Sequence, residues 1–177
     1  MAIVKLRPCL ASLKRLWHYT GTTMPDIVDK ETRSRMMSSI RAKDTKPELV
    51  VRRYLHSQGF RFRLHNRSLP GNPDIVLPKY GAVVLVHGCY WHRHKGCRLA
   101  YDPKSRQEFW QQKFSSNVRR DAEVKRLLRE AGWRVMTVWE CALRDTELRE
   151  TGLESIAEWI KSEVPYSEFS PAGRLST

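Results

Sequence analysis

An α/β fold built on a mixed central sheet is predicted by three features of the sequence. Ala82-Val-Val-Leu-Val86 is an unbroken apolar, β-branched run, the pattern of a strand buried on both faces. Two segments of the form S/T-x-x-E, Thr45 to Glu48 and Ser105 to Glu108, mark helix starts before and after it. Short strand-like stretches alternate with these helices instead of grouping apart, giving helix, small meander, helix, strand, helix in one domain flanked by helices.

In chain order, a basic helix is expected from Asp29 to about Ile40, with Met36, Met37 and Ile40 on one side. Thr45 suits the N-cap of the next helix, Pro47 tolerates its first turn, and Glu48 reaches back to close the capping box. Leu49, Val50, Tyr54 and Leu55 supply the buried stripe, and Gly59 ends it. Phe60, Phe62 and Leu64 alternate with arginines, as in a half-buried strand. Leu69-Pro-Gly-Asn-Pro-Asp74 is turn-forming and delivers Asp74 to a strand at Ile75–Leu77, and Pro78–Gly81 turns the chain into Ala82–Val86. Ser105 opens a long helix carrying Phe109, Trp110, Phe114, Leu127 and Leu128, with a break expected near Ser115-Ser116 and Gly132 as its end. Trp133–Trp139 is the next strand, and Thr146 to Ile160 the last helix. Residues after Pro165 have little to pack with. The expected organisation is therefore a basic extension (1–23, with Met24 as an alternative start), one domain (24–163) and a tail (164–177).

Composition narrows the partners. The 177 residues include 32 Lys and Arg against 19 Asp and Glu, a net charge of +13, while 41% are hydrophobic. That is a globular chain with a polyanionic partner: nucleic acid first, an anionic membrane surface second. No apolar run approaches the roughly 18 residues of a membrane-crossing helix. Four cysteines in a chain of this length do not make a disulfide framework, and no secretory signal is evident, so reduced thiols available to metal are expected.

Chemistry concentrates in Val86-His-Gly-Cys-Tyr-Trp-His-Arg-His-Lys-Gly-Cys97. Cys89, His94 and Cys97 give C-x4-H-x2-C, and with Cys141 after a later strand they make the kind of set structural zinc favours. On spacing alone His87, His92 or His94 could each be the fourth ligand. Asp74 begins a strand whose neighbour ends at His87, so a hard oxygen ligand suited to Mg²⁺ meets a histidine at one sheet edge. Each acid also has a plain structural reading: a turn cap for Asp74, the capping box for Glu48, arginine partners for Asp121. Tyr90, Trp91 and Trp110 stand among cations, where aromatics stack on bases or pack into a core.

The segments DKETRSRMM, DTKPE, LPGNPDIV, HGCYWHRHKGC, EFW, NVRRD and GWRVMTVWECAL occur in an order and spacing that resemble the very short patch repair (Vsr) DNA mismatch endonucleases, from Met24 to about Lys161. The resemblance implies a restriction-endonuclease-like fold of the PD-(D/E)XK type. It also implies Mg²⁺-dependent nicking of double-stranded DNA 5′ to the thymine of a T·G mismatch left by 5-methylcytosine deamination. Carried onto this chain, it makes Asp74 and the Val86 carbonyl the Mg²⁺ ligands. His92, oriented by Asp121, becomes the general base or proton shuttle for the attacking water; His87 sits near the scissile phosphate; Glu48 holds metal-bound water. Cys89, His94, Cys97 and Cys141 become the zinc ligands, and Tyr90, Trp91 and Trp110 the wedge. A monomeric bacterial cytoplasmic enzyme, on the nucleoid when DNA-bound and cooperating with mismatch-repair and resynthesis proteins, is implied as well. The chain departs from the pattern at Leu85, where related nucleases often carry an acid. It also departs at Tyr90, at Arg93 and in the Lys95-Gly96 loop. Two rival readings remain: a same-fold nuclease of other DNA specificity, and a non-catalytic zinc-containing DNA-binding module.

Overall fold

Among the described residues six strands form one sheet in the order β1 to β6: Arg63–Leu64, Ile75–Leu77, Ala82–His87, Arg134–Trp139, Tyr166–Ser170 and Gly173–Ser176. The first three pair antiparallel, β3–β4 and β4–β5 are parallel, and β5–β6 is antiparallel, so the sheet is mixed as predicted. The computed structural model describes residues 29–38, 43–171 and 173–176. The basic extension 1–23, Met24, Ile40 and the side chains of Met36 and Met37 lie outside the described residues.

Period-two alternation sorts the strands' side chains onto two faces. Ile75, Leu77, Ala82, Val84, Val86, Met136, Val138 and Phe169 pack with residues of α2 (Lys46–Ser57), α5 (Glu140–Arg144) and α6 (Thr146–Lys161). Val76, Val83, Leu85 and Val135 face the other way, onto Leu128 and Val124 of α4 (Gln107–Glu130). α1 (Lys30–Ser38) has Asp29 as its cap, which accepts from the Thr32 amide at 2.7 Å. Among the described residues no helix is long and apolar enough to cross a membrane.

The Thr45 capping box forms as predicted: Thr45 accepts from the Glu48 amide and Glu48 from the Thr45 amide. Four expectations need correction. The Ser105 capping box does not form, because Arg106 takes a left-handed conformation (φ 52°) and the helix begins after it without a side-chain cap. The break at Ser115-Ser116 is absent, and α4 is continuous from Gln107 to Glu130. The segment after Pro165 does pack: Tyr166–Ser170 is β5, parallel to β4, with Ser167 and Phe169 buried. Of the expected Phe60–Leu64 strand, only Arg63–Leu64 pairs, and Leu64 is exposed.

Two devices lock this C-terminal half. The Arg134 guanidinium donates to the carbonyls of Ile160 (2.7 Å), Tyr80 (2.9 Å) and Trp159 (3.0 Å), tying the end of α6 to the turn before β3. Gly152 on α6 lies under the Phe169 ring, where a Cβ would come within 1.9 Å of a ring carbon. A Gly152→Ala chain should therefore lose about 1–3 kcal/mol through overpacking, despite the better helix propensity of alanine. Urea denaturation would read it; an unchanged midpoint would mean β5 is not docked through Phe169.

Candidate active site and metal centre

Asp74 stands just before β2, past the last rung of the β2–β3 ladder at Ile75↔Val84. Its Oδ2 accepts from the Val86 amide at 2.8 Å, a donor the shortened ladder leaves over. Burial pushes its carboxyl up from an ordinary 3.8 to about 6, against the lowering effect of that hydrogen bond, and the nearby Glu48 charge adds to the rise. Asp74 and the Val86 backbone are thus in contact.

β3 ends at His87, laterally paired with Trp139 of β4, and the chain then makes one helical turn, α3 (Cys89–His92). That turn swings His92 back so that its ring stacks on His87, with centroids 4.0 Å apart and planes 11° off parallel. On its other side His92 Nδ1 meets Asp121 Oδ2 of α4 at 2.5 Å. The anionic acceptor places the proton on Nδ1 and leaves Nε2 with its lone pair. His87 is buried, and burial first, then the His92 and Lys125 charges, hold its imidazole well below the usual range, so it is neutral at physiological pH. Its Nδ1 is buried without a hydrogen-bond partner among the described residues.

Glu48 is buried and fully engaged. Beyond the capping box it accepts from the Asp44 amide (3.0 Å) and from Arg52 Nη2 (2.8 Å). Arg52 also reaches Asp44 (2.6 Å) and lies 3.1 Å from His65 Nε2. The acidic group of Asp44, Glu48 and His65 therefore already surrounds a cation, the guanidinium. His65 and Arg52 were missed in the sequence. The i,i+4 spacing of Glu48 and Arg52 was a readable signal, whereas nothing local to His65 places it there.

Cys89, His94, Cys97 and Cys141 converge, their ligand atoms all within 4.8 Å of one another. His94 Nδ1 is 3.2 Å from Cys141 Sγ and 3.8 Å from Cys89 Sγ. An ion with tetrahedral bonds of about 2.3 Å to sulfur and 2.0–2.1 Å to nitrogen needs S···N near 3.6 Å and S···S near 3.8 Å, so the residues fit a zinc-type site. The thiols are interdependent. A hydrogen bond from Cys141 lowers Cys89 to about 6, and the Cys89 thiolate in turn pushes Cys141 up. Three adjacent thiols cannot all ionise without a cation. His94 is chosen over its two neighbours by geometry: His87 and His92 gather with Asp121 instead.

The aromatics interlock. Tyr90 sits edge-on to Trp91 and Phe114 at 5.1 Å, and Trp110 lies 6.0 Å from both Tyr90 and Trp91. All three predicted wedge residues are half-buried, and Asn117, buried on α4, anchors the turn by donating to the Trp91 carbonyl at 3.0 Å. Tyr101 (65% exposed) and Phe109 (48%) lie on the outside of the cluster.

A family model described as DNA mismatch endonuclease Vsr matches residues 25–99. The chain is 43% identical over 152 residues to the DNA mismatch endonuclease Vsr of Escherichia coli (strain K12), covering 85% of this chain and 97% of that protein. It is 46% identical over 135 residues to the type II nicking enzyme V.XorIIP of Xanthomonas oryzae pv. oryzae, covering 76% and 98%. With the type II nicking enzyme V.NmeAIP of Neisseria meningitidis it shares 40% over 141 residues, covering 80% and 100%.

Proposed function

The chain belongs to the family of the DNA mismatch endonuclease Vsr, and on that premise we propose that it is a hydrolytic endonuclease nicking double-stranded DNA 5′ to the thymine of a T·G mismatch. The observation that carries the reading is the His92–Asp121 pair, stacked on His87 beside Asp74 at the end of β3. The restriction-endonuclease-like fold is part of the same proposal, supported by the mixed sheet with helices on both faces. So is a catalytic domain spanning 24–163, to which β5 contributes from the segment after it.

In this mechanism His92 accepts the proton of the attacking water at Nε2, and Asp121 stabilises the imidazolium through Nδ1. Neutral His87 offers a hydrogen bond to the scissile phosphate without adding charge. Asp74 and the Val86 carbonyl would hold Mg²⁺. One free carboxylate oxygen, a backbone carbonyl and retained waters suit that ion, which supplies Lewis acidity at the phosphate when bound. Glu48, already bonded to Arg52, acts on this site by its charge and through water. The cysteines and His94 would hold a structural Zn²⁺, keeping α3 fixed against α5.

Tyr90, Trp91 and Trp110 form the wedge. A mispaired step is cheaper to unstack than a matched one, which gives the mismatch preference its physical basis. Trp91→Ala should weaken binding to a T·G duplex by roughly 5- to 100-fold, the worth of one stacking contact; fluorescence anisotropy showing unchanged affinity would remove Trp91 from the wedge. The deciding assay offers labelled duplexes carrying T·G, matched T·A or a branched junction, with Mg²⁺ or with chelator. Nicking of T·G alone, and only with Mg²⁺, is expected. Equal cleavage of T·A would leave a nuclease of other specificity, and no cleavage of any substrate would leave a DNA-binding module.

A further inference from the structure

His87 has an unusual support. Its Nδ1 is buried and has no hydrogen-bond partner among the described residues, so none of their bonds at that nitrogen fixes the ring. Packing does so instead, with the His92 face on one side and the edge of Trp139 on another, at 5.3 Å and 78°. The same indole lies flat on His94, with centroids 4.2 Å apart and planes 12° off parallel. One buried ring therefore touches both the histidine pair and the Cys3His group.

The orientation of Trp139 is itself fixed. Its indole N–H donates to Glu168 of β5, and the other carboxylate oxygen of Glu168 accepts from the Tyr166 hydroxyl at 2.9 Å. The register explains the meeting: Glu168 pairs laterally with Thr137, and Trp139 follows two residues later on the same face of β4. Lys125, one helical turn after Asp121 on α4, sets its ammonium 5.9 Å from the centroid of the Tyr166 ring. A half-buried carboxylate with a donor on each of its oxygens is a rigid anchor for an otherwise unsatisfied indole N–H.

Resting on the active-site reading of His87 above, we propose that Trp139 and Glu168 are positioning residues for the nicking reaction: Glu168 fixes the indole, and the indole holds His87 in register with the His94 loop. Displacing His87 should slow the chemical step without weakening DNA binding, because neither positioning residue belongs to the wedge.

The test uses the whole chain, zinc-loaded, in single-turnover nicking of a T·G duplex, with duplex affinity and zinc content measured in parallel. Glu168→Leu and Trp139→Phe should each slow nicking about tenfold or more, with affinity changed less than about twofold and zinc content unchanged. Glu168→Gln, which keeps an acceptor for the indole, should stay within about threefold of the parent rate. The Glu168→Leu/Trp139→Phe double variant should be no slower than the slower single, since both break one link. Undiminished nicking in either single variant, multiplied losses in the double, or losses fully matched by lost zinc would overturn the inference. His87→Ala separates the two levels. If it nicks normally, the active-site reading fails; if it is inactive while Glu168→Leu is normal, the positioning role alone fails.

Discussion

Asp74→Ala should leave a labelled T·G duplex uncut while binding it within about twofold of the parent protein, since the change removes the proposed metal ligand and no proposed stacking or phosphate contact. The effect is expected to be total because the other acids near the site are committed: Glu48 to its capping box and Arg52, and Asp121 to His92. Retained nicking would mean the metal site lies elsewhere. Asp74 also predicts a pH dependence. Its folded-state pKa of about 6 lies above the ordinary 3.8, so the ionised form is disfavoured by folding. The sign follows: stability relative to the unfolded chain declines as pH rises from about 4 through 6, and the ionised group costs roughly 3 kcal/mol at neutral pH. Asp74→Asn should therefore stabilise the metal-free protein at pH 7–8 by up to roughly 3 kcal/mol while abolishing nicking. In the parent enzyme, nicking should fall as pH drops through about 6, where a proton competes for the ligand, and the midpoint should move lower as Mg²⁺ is raised. A midpoint indifferent to Mg²⁺ would disconnect Asp74 from the cation.

What could be read in the sequence was what is encoded locally. Ala82–Val86 had to be a doubly buried strand because no position in it tolerates water, and Thr45 with Glu48 had to start a helix because each satisfies the other's backbone. The Ser105 box has the same letters, yet Arg106 turns left-handed and lays its guanidinium 4.5 Å over Phe109, which puts Ser105 outside the helix. β5 gave a weak signal since its inward positions are Ser167 and Phe169 and its outward ones Tyr166 and Glu168, a poor hydrophobic alternation. In the site, Cys89 to Cys97 was legible as one segment. The His92–Asp121 pair joins a one-turn helix to the middle of α4, and no spacing rule relates them; only the family resemblance named them together. Trp139 closes the predicted strand Trp133–Trp139, and it is buried, but its contacts with two histidines come from strand register that the residues alone do not state.

Cys141→Ala should lower the zinc content from one ion per chain to near zero and reduce the melting temperature by about 10 °C, equivalent to roughly 3 kcal/mol in a chain of this size. The reason lies in topology. Cys89, His94 and Cys97 all sit between β3 and α4, whereas Cys141 belongs to α5 after β4, so of the four ligands it is the one that ties that loop to the second half of the fold. Without it, two thiols and an imidazole remain on a segment whose regular structure is a single helical turn, too short to persist without outside contacts. That segment carries His92 and two of the three wedge aromatics, so nicking and mismatch binding should fall together. This contrasts with Asp74→Ala, where they separate. The thiols also set a pH requirement. Three thiolates must form for the ion to bind, and the Cys89 thiolate pushes Cys141 up, so apparent affinity should weaken as pH falls. Chelation of the parent protein should reproduce the Cys141→Ala melting temperature, and added Zn²⁺ should restore the parent and leave the variant unchanged. If the variant kept its zinc and its melting temperature, the four residues would be a buried thiol cluster and the loop would have to be held by Asn117 and the aromatic packing alone.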